Sequence, residues 1–310
     1  MTDIENNPYI NSFKKILSRT PLLEFIDPSI GNECRIFIKL ENQNVLGNMK
    51  TRVAYQMIED AELNGIIDKR TEVTLIEPTG GNTGAGLALI GGMKGYRIVL
   101  VIPDNFSSEK IKLLRILGAN VFLSDSTKGS NSHILKTKEL VKKNPSWIYL
   151  NQFENESNML AHYLNTGKEI ADNLPKIDYF LTGVGSGGSI SGIGKRIKER
   201  WSSAKVVGVQ PLGCNILTGT TVNHCIEGIS VGLVPKILDL EIIDGLHSVE
   251  SHKSINYLKY LLKYKGLCVG ISSAANILAA VEISQKVESE SVIVTLAPDT
   301  GRNYFSYLDF

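Results

Sequence analysis

This 310-residue sequence predicts an α/β fold built on parallel sheets, and three observations predict it. Short apolar runs alternate with helix-patterned segments along the chain, as strands joined by helical crossovers do. Two of these runs end in Gly-rich loops that open a helix, at 77–86 and 182–192. No repeats, heptads or low-complexity linkers interrupt the alternation.

The predicted strands, in order, are 36–40, 73–77, 97–102, 120–123, 179–182, 205–210 and 292–296. The predicted helices are 51–64, 83–93, 107–117, 130–144, 158–173, 189–201, 251–265 and 273–285. In the first, Ala54, Met57, Ile58 and Ala61 fall at i, i+3, i+4 and i+7, which makes a buried stripe. Ser107 is placed to N-cap the third, with Glu109 in its first turn. The Gly/Thr-rich stretch 213–232 reads as an irregular loop near an active-site mouth.

The length implies one large or two closely knit domains. Lys and Arg number 33 against 32 Asp and Glu, a net charge of +1, which argues against nucleic acid or an anionic membrane as partner. No apolar run approaches a membrane span, and the acidic, polar start has no signal-peptide character, so a cytoplasmic location is expected. Cys34, Cys214, Cys225 and Cys268 are scattered without CxxC spacing and read as reduced thiols, with Cys268 in a buried, apolar setting. His224-Cys225 has no second pair to complete a metal site, and no metal is expected. Isolated His133, His162, His247 and His252 read as surface or helix-face residues.

Three segments carry chemistry. Glu77-Pro78-Thr79-Gly80-Gly81-Asn82-Thr83-Gly84-Ala85-Gly86 joins the apolar Val73–Ile76 run to a helix. Its glycines and small hydroxyls suit an anionic ligand, although an ordinary strand-to-helix turn has the same pattern. Thr182 to Gly192 has the layout of a phosphate cradle: successive N–H groups, a helix start, and Ser hydroxyls. Gly183-x-Gly185-x-x-Gly188 also matches a dinucleotide fingerprint, but the next strand ends in Gln210-Pro211 with no carboxylate for a ribose. A single phosphate monoester therefore fits better. Lys195 and Arg196 lie beyond the first turn, on a solvated helix face. In the third segment, Gly47 to Arg52, Lys50 sits at a helix start, where the dipole disfavours a cation. A lysine here is an ordinary surface residue, or one whose amine is condensed or desolvated for use. A helix-start lysine, an Asn/Thr loop and a separate phosphate cup are the parts that hold pyridoxal 5′-phosphate.

At these residues the chain resembles the cysteine synthase and cystathionine β-synthase family, the β-family of pyridoxal-phosphate enzymes with fold type II. The resemblance spans Arg19-Thr20-Pro21-Leu22-Leu23, Lys39-Leu40-Glu41-Asn42, Glu77 to Gly86, Lys94-Gly95-Tyr96-Arg97 and Asn151-Gln152-Phe153-Glu154-Asn155. It continues through Gly185–Ser189, Ile226-Glu227-Gly228-Ile229 and Val269-Gly270-Ile271-Ser272-Ser273 to Pro298-Asp299-Thr300-Gly301-Arg302-Asn303-Tyr304.

The resemblance implies two parallel-sheet domains, tryptophan-synthase-β-like, with the cofactor in the cleft between them. The smaller would be 47–156 and the larger 1–46 plus 157–310. It implies Lys50 as the Schiff-base lysine and α-proton base, and Asn82 at the pyridoxal 3′-oxygen. Gly185, Ser186, Gly187, Gly188 and Ser189 would form the phosphate cup, with Ser272 at the pyridine nitrogen. Thr79, Gly80, Gly81 and Thr83 would form the substrate-carboxylate loop, with Gln152 as a second carboxylate contact. A neutral Ser272 leaves the ring a weaker electron sink than an Asp would, which favours quick loss of a β-leaving group.

The implied reaction is β-replacement on an O-activated serine (O-acetylserine or O-phosphoserine) or on cysteine, by way of an aminoacrylate. Sulfide or a small thiol would be the nucleophile, and cysteine or a related β-substituted alanine the product. Two other readings stay open: another nucleophile giving a diaminopropionate, or cysteine β-elimination with release of sulfide. Outside catalysis, the chain could be a silent family member acting as a binding partner. A homodimer and a serine acetyltransferase partner are further family expectations. The sequence departs from the family pattern beside the lysine, with Val45-Leu46-Gly47-Asn48-Met49 before it and Thr51-Arg52 after it. It also has Gly80 where the family's substrate loop carries a Ser, so one substrate-facing hydroxyl is absent.

Overall fold

The computed structural model describes residues 8–79, 81–129 and 131–307. Two compact units emerge. One comprises Lys50–Ala161 with the segment up to Ser18, the other Arg19–Met49 and His162 onward.

The first unit holds a four-stranded parallel sheet of β3 (Thr74–Pro78), β4 (Arg97–Pro103), β5 (Asn120–Ser124) and β6 (Ile148–Tyr149), in the order β5-β4-β3-β6. Its helices are α1 (Pro8–Ile16), α2 (Lys50–Leu63), α3 (Asn82–Met93), α4 (Ser108–Ile116), α5 (Ser132–Lys143) and α6 (Glu156–Ala161). The predicted stripe of α2 is buried: Ala54, Met57, Ile58 and Ala61 all lie inside. Ile76, Val99 and Val101 pack with Leu140 and Val141 of α5 and with Trp147 and Tyr149. α3 is rich in Gly and Ala and buried almost all round, so neighbouring backbones can approach it closely.

The second unit holds β1 (Leu22–Phe25), β2 (Arg35–Lys39), β7 (Tyr179–Gly183), β8 (Lys205–Pro211), β9 (Gly245–Val249) and β10 (Val292–Leu296). The strand order is β1-β2-β10-β7-β8-β9. Only β1 runs antiparallel, paired with β2. Helices α7 (Lys168–Asn173), α8 (Gly188–Arg200), α9 (Ser251–Lys265) and α10 (Ile271–Ser284) complete it. Ile36 and Ile38 face the cluster that includes α10, whereas Phe37 joins Phe180, Val294 and the isoleucines of α8. Both faces of β2 are thus covered, which is why it reads as a continuous apolar run.

The structure differs from the sequence expectations at several points. The predicted helix 158–173 is broken by a π-helical stretch, His162–Gly167, between α6 and α7. Ser107 is the N-cap residue of α4, but its side chain makes no cap bond. His162 is fully buried, with Nδ1 3.1 Å from Thr166 Oγ1, and is not a surface residue. His247 instead pairs with Glu282 at 2.6 Å. All four cysteines are free; Cys34 and Cys214 are buried, whereas Cys268, expected inside, is half-buried. Among the described residues no helix is long and apolar enough to cross a membrane.

Candidate active site

The chain leading to Lys50 is fixed by backbone pairing within the second unit. Met49 N–H donates to the Pro298 carbonyl at 2.9 Å and Thr300 N–H to the Gly47 carbonyl at 2.8 Å, while Asn48 bridges Asp299. Gly47 has φ +66°, and a Cβ there would lie 2.9 Å from Thr300 Cγ2. Only glycine meets both demands. In the first unit α2 then begins at Lys50 itself. A Cβ on Gly86 would lie 2.9 Å from the Lys50 carbonyl oxygen and 3.0 Å from Ala54 Cβ, so α3 packs directly on the backbone of this lysine. Burial pushes the Lys50 amine down to about 8, which leaves a useful fraction neutral and nucleophilic near neutral pH.

The loop before α3 lies in the same unit. Thr79 N–H donates to the Val101 carbonyl at 2.9 Å and Gly81 N–H to Thr79 Oγ1 at 3.3 Å. Gly81 is the N-cap of α3 and offers no side-chain cap, so the first N–H groups from Asn82 onward lack intrahelical acceptors. Among the described residues, apart from its chain neighbours, no atom lies within 4 Å of where a Gly81 Cβ would stand. Thr83 Oγ1 donates to Gln152 Oε1 at 2.8 Å. With Oε1 engaged, the Gln152 amide is left with its Nε2 donors, and its side chain also engages the Glu77 carboxyl. A helix start beside an amide side chain suits a carboxylate. Gly80 lies outside the described residues.

The cup and Ser272 come together in the second unit. Asn276 Oδ1 accepts the Gly183 N–H at 2.8 Å, and Asn276 Nδ2 donates to the Leu296 carbonyl at 3.1 Å. Asn276 thereby ties the end of β7 to α10, and Ser272 stands one turn before it on the same helix face. Ser230 N–H donates to the Val184 carbonyl at 2.8 Å, and a Cβ on Gly185 would collide with the Gly228 carbonyl. The irregular 213–232 stretch therefore packs against the cup. Gly187 adopts φ +87° as the N-cap of α8 and supplies no side-chain cap. The first turn of α8 therefore presents the N–H groups of Gly188, Ser189 and Ile190 without intrahelical acceptors. Ser186 and Ser189 are buried beside them. Uncapped N–H donors, a helix dipole and buried hydroxyls form a donor set that fits a phosphate dianion. Lys195 and Arg196 lie over the Tyr163 ring, 5.8 and 5.4 Å from its centroid, rather than in the cup.

Two structural contributors had no assigned role in the sequence reading. Glu77 is fully buried against the backbone of Asn151 and Gln152, and Asn276 joins the cup to α10. A carboxylate ending an apolar strand just before a Gly-rich loop was the available signal for Glu77. A buried Asn inside an Ala-rich helix was the signal for Asn276.

Comparison with known proteins points the same way. The family model described as pyridoxal-phosphate dependent enzyme matches residues 14–299. A cystathionine beta-synthase of Apis mellifera is 37% identical over 97% of this chain, which spans only 62% of that protein's length. A cysteine synthase of a Flavobacterium species is 39% identical, with 82% of each chain covered. Among solved structures, a hydrogen sulfide-producing enzyme of Fusobacterium nucleatum superposes with a TM-score of 0.91 at 36% identity, covering 97% of this chain and 91% of its own.

Proposed function

This chain belongs to the family of pyridoxal-phosphate dependent enzymes, and on that premise we propose that it catalyses β-replacement on a β-substituted L-amino acid. The amino acid is an O-activated serine (O-acetylserine or O-phosphoserine) or cysteine. The incoming group is sulfide or a small thiol, and the product is cysteine or a related β-substituted alanine. One observation supports this reading: at the start of α3 Thr83 is bonded to Gln152, in the same unit as a desolvated Lys50.

The residues present fit the cofactor. Gly185–Ser189 would hold its phosphate through the start of α8, Ser272 would face its ring nitrogen, Asn82 its 3′-oxygen, and Lys50 would be its amine partner. When bound, pyridoxal phosphate supplies an electron sink for the amino-acid α-carbon. The protein's own contribution is positional and electrostatic. The α3 start, Thr79, Gly81, Thr83 and Gln152 orient the carboxylate, which fixes the α-proton relative to Lys50. Neutral Lys50 Nζ then accepts that proton, a role that its lowered basicity allows near neutral pH. Gly80 at the family's Ser position removes one hydroxyl from the loop, which is expected to loosen the demand on the substrate's β-substituent.

Similarity to the hydrogen sulfide-producing enzyme favours a second reading, β-elimination of cysteine. A homodimer and a serine acetyltransferase partner rest on the sequence resemblance. The test is product analysis by mass spectrometry, with O-acetylserine, O-phosphoserine and cysteine each crossed with sulfide and 2-mercaptoethanol. A β-substituted alanine from at least one pair is expected. Sulfide and pyruvate from cysteine alone would favour elimination. No product from any pair would leave a silent family member.

A further inference from the structure

We infer that Glu77 is a positioning residue that sets the Gln152 amide to receive the substrate carboxylate, an inference that rests on the function proposed above. Glu77 has no exposed surface, so it touches no substrate. β3 and β6 pair only over Leu75↔Ile148 and Ile76↔Tyr149. Where that ladder ends, the Glu77 carboxyl takes over: Oε2 accepts the Asn151 N–H at 2.8 Å and Oε1 the Gln152 N–H at 3.0 Å.

This clamp holds a bend that the chain would otherwise resist. Asn151 has φ +52°, a left-handed conformation that asparagine adopts more readily than most residues but at a greater cost than glycine. The bend turns Gln152 back toward α3, and three further bonds secure the turn. The Asn151 carbonyl accepts from Asn155 N–H at 2.9 Å, Asn158 Nδ2 donates to the Gln152 carbonyl at 2.8 Å, and Thr83 Oγ1 reaches Gln152 Oε1 at 2.8 Å. Gln152 is thus held at its N–H, its carbonyl and its side-chain oxygen, and the Glu77 carboxyl engages both its N–H and its side-chain amide. Burying a carboxyl is costly, and burial pushes this one up to about 8 against the pull of both N–H groups. An apolar residue would fill the volume at less cost but would leave two buried N–H groups unpaired.

The test uses the cofactor-loaded full chain. Glu77→Gln keeps the shape but sets an NH2 group against one of the two N–H donors. Amino-acid affinity is read by spectral titration with O-acetylserine, together with KM and kcat, for the parent, Glu77→Gln, Gln152→Ala and the double variant. Glu77→Gln is expected to weaken binding and raise KM about tenfold, the size of one buried N–H donor left unpaired, with kcat changed less than about threefold. Because Glu77 acts through Gln152, the double variant should bind no worse than Gln152→Ala alone. Asn151→Gly relieves the left-handed cost and should restore part of the affinity in Glu77→Gln. Circular dichroism and thermal melting show which variants fold.

A folded Glu77→Gln with parental affinity, or one whose penalty adds in full to that of Gln152→Ala, overturns the inference. Should Glu77→Gln not fold, Gln152→Ala decides, since parental affinity in that variant also overturns it. A parent that binds no β-substituted serine overturns the proposed function and, with it, this inference.

Discussion

Raising the pH from 7 to 9 should speed capture of pyridoxal phosphate by the cofactor-free protein about tenfold, with little further gain above that. The magnitude follows from Lys50, whose amine burial lowers from 10.5 to about 8. At pH 7 about one amine in eleven is then neutral, and at pH 9 about ten in eleven. A lysine with the ordinary value would gain about a hundredfold over the same interval and would still be climbing. Stopped-flow absorbance reads the capture, and a short lysine peptide treated in parallel corrects for the cofactor's own ionisation. A hundredfold rise without a plateau would refute the desolvated environment assigned to Lys50. The same shift has a stability consequence of definite sign. The folded state disfavours the charged amine, so between about 8 and 10.5 the unfolded chain binds more protons, and the stability of the cofactor-free protein rises with pH across that window.

Three further outcomes are expected. Gly86→Ala places a Cβ 2.9 Å from the Lys50 carbonyl, so α2 or α3 must shift; a loss of about 1–3 kcal/mol in urea denaturation and weaker cofactor retention should follow, and unchanged retention would contradict the packing described. Gly185→Ala collides with the Gly228 carbonyl and should lower pyridoxal phosphate affinity by equilibrium dialysis, while inorganic phosphate protects the variant from heat less than it protects the parent. Asp27 accepts from Ser29, Tyr260 and Lys265, which hold its carboxyl well below the usual range although burial opposes them. Asp27→Asn should therefore cost about 2 kcal/mol at pH 7, and the gap to the parent should narrow as the pH falls below 3.8, where the unfolded chain takes up a proton that the folded one resists; a gap constant down to pH 2 would refute this.

The sheets were legible because their central strands are apolar on both faces, as at Ile36–Ile38 and Phe180–Leu181. β1, β6 and β9 were not. β6 has two residues, β1 is a short edge strand with an exposed centre, and β9 contains Gly, His and Ser, so none carries a periodic signal. The π-helical stretch at His162–Gly167 is equally silent, since a single widened turn between two six-residue helices leaves too little on either side to fix an apolar phase. In the site, Lys50, the 79–83 loop and the 185–189 cup were visible as residue types at helix starts. The bonds that hold them, from Glu77 to Asn151 and Gln152 and from Asn276 to Gly183, connect positions about seventy to ninety residues apart, and no local pattern encodes them.

The central claim is that Lys50 is the amine that holds the cofactor. Borohydride reduction of the pyridoxal phosphate-loaded protein, followed by proteolysis and mass spectrometry, tests it directly. The account predicts a single pyridoxyl-modified peptide, with the modification on Lys50, and none from Lys50→Ala. Modification of a different lysine, with Lys50 intact, would contradict it.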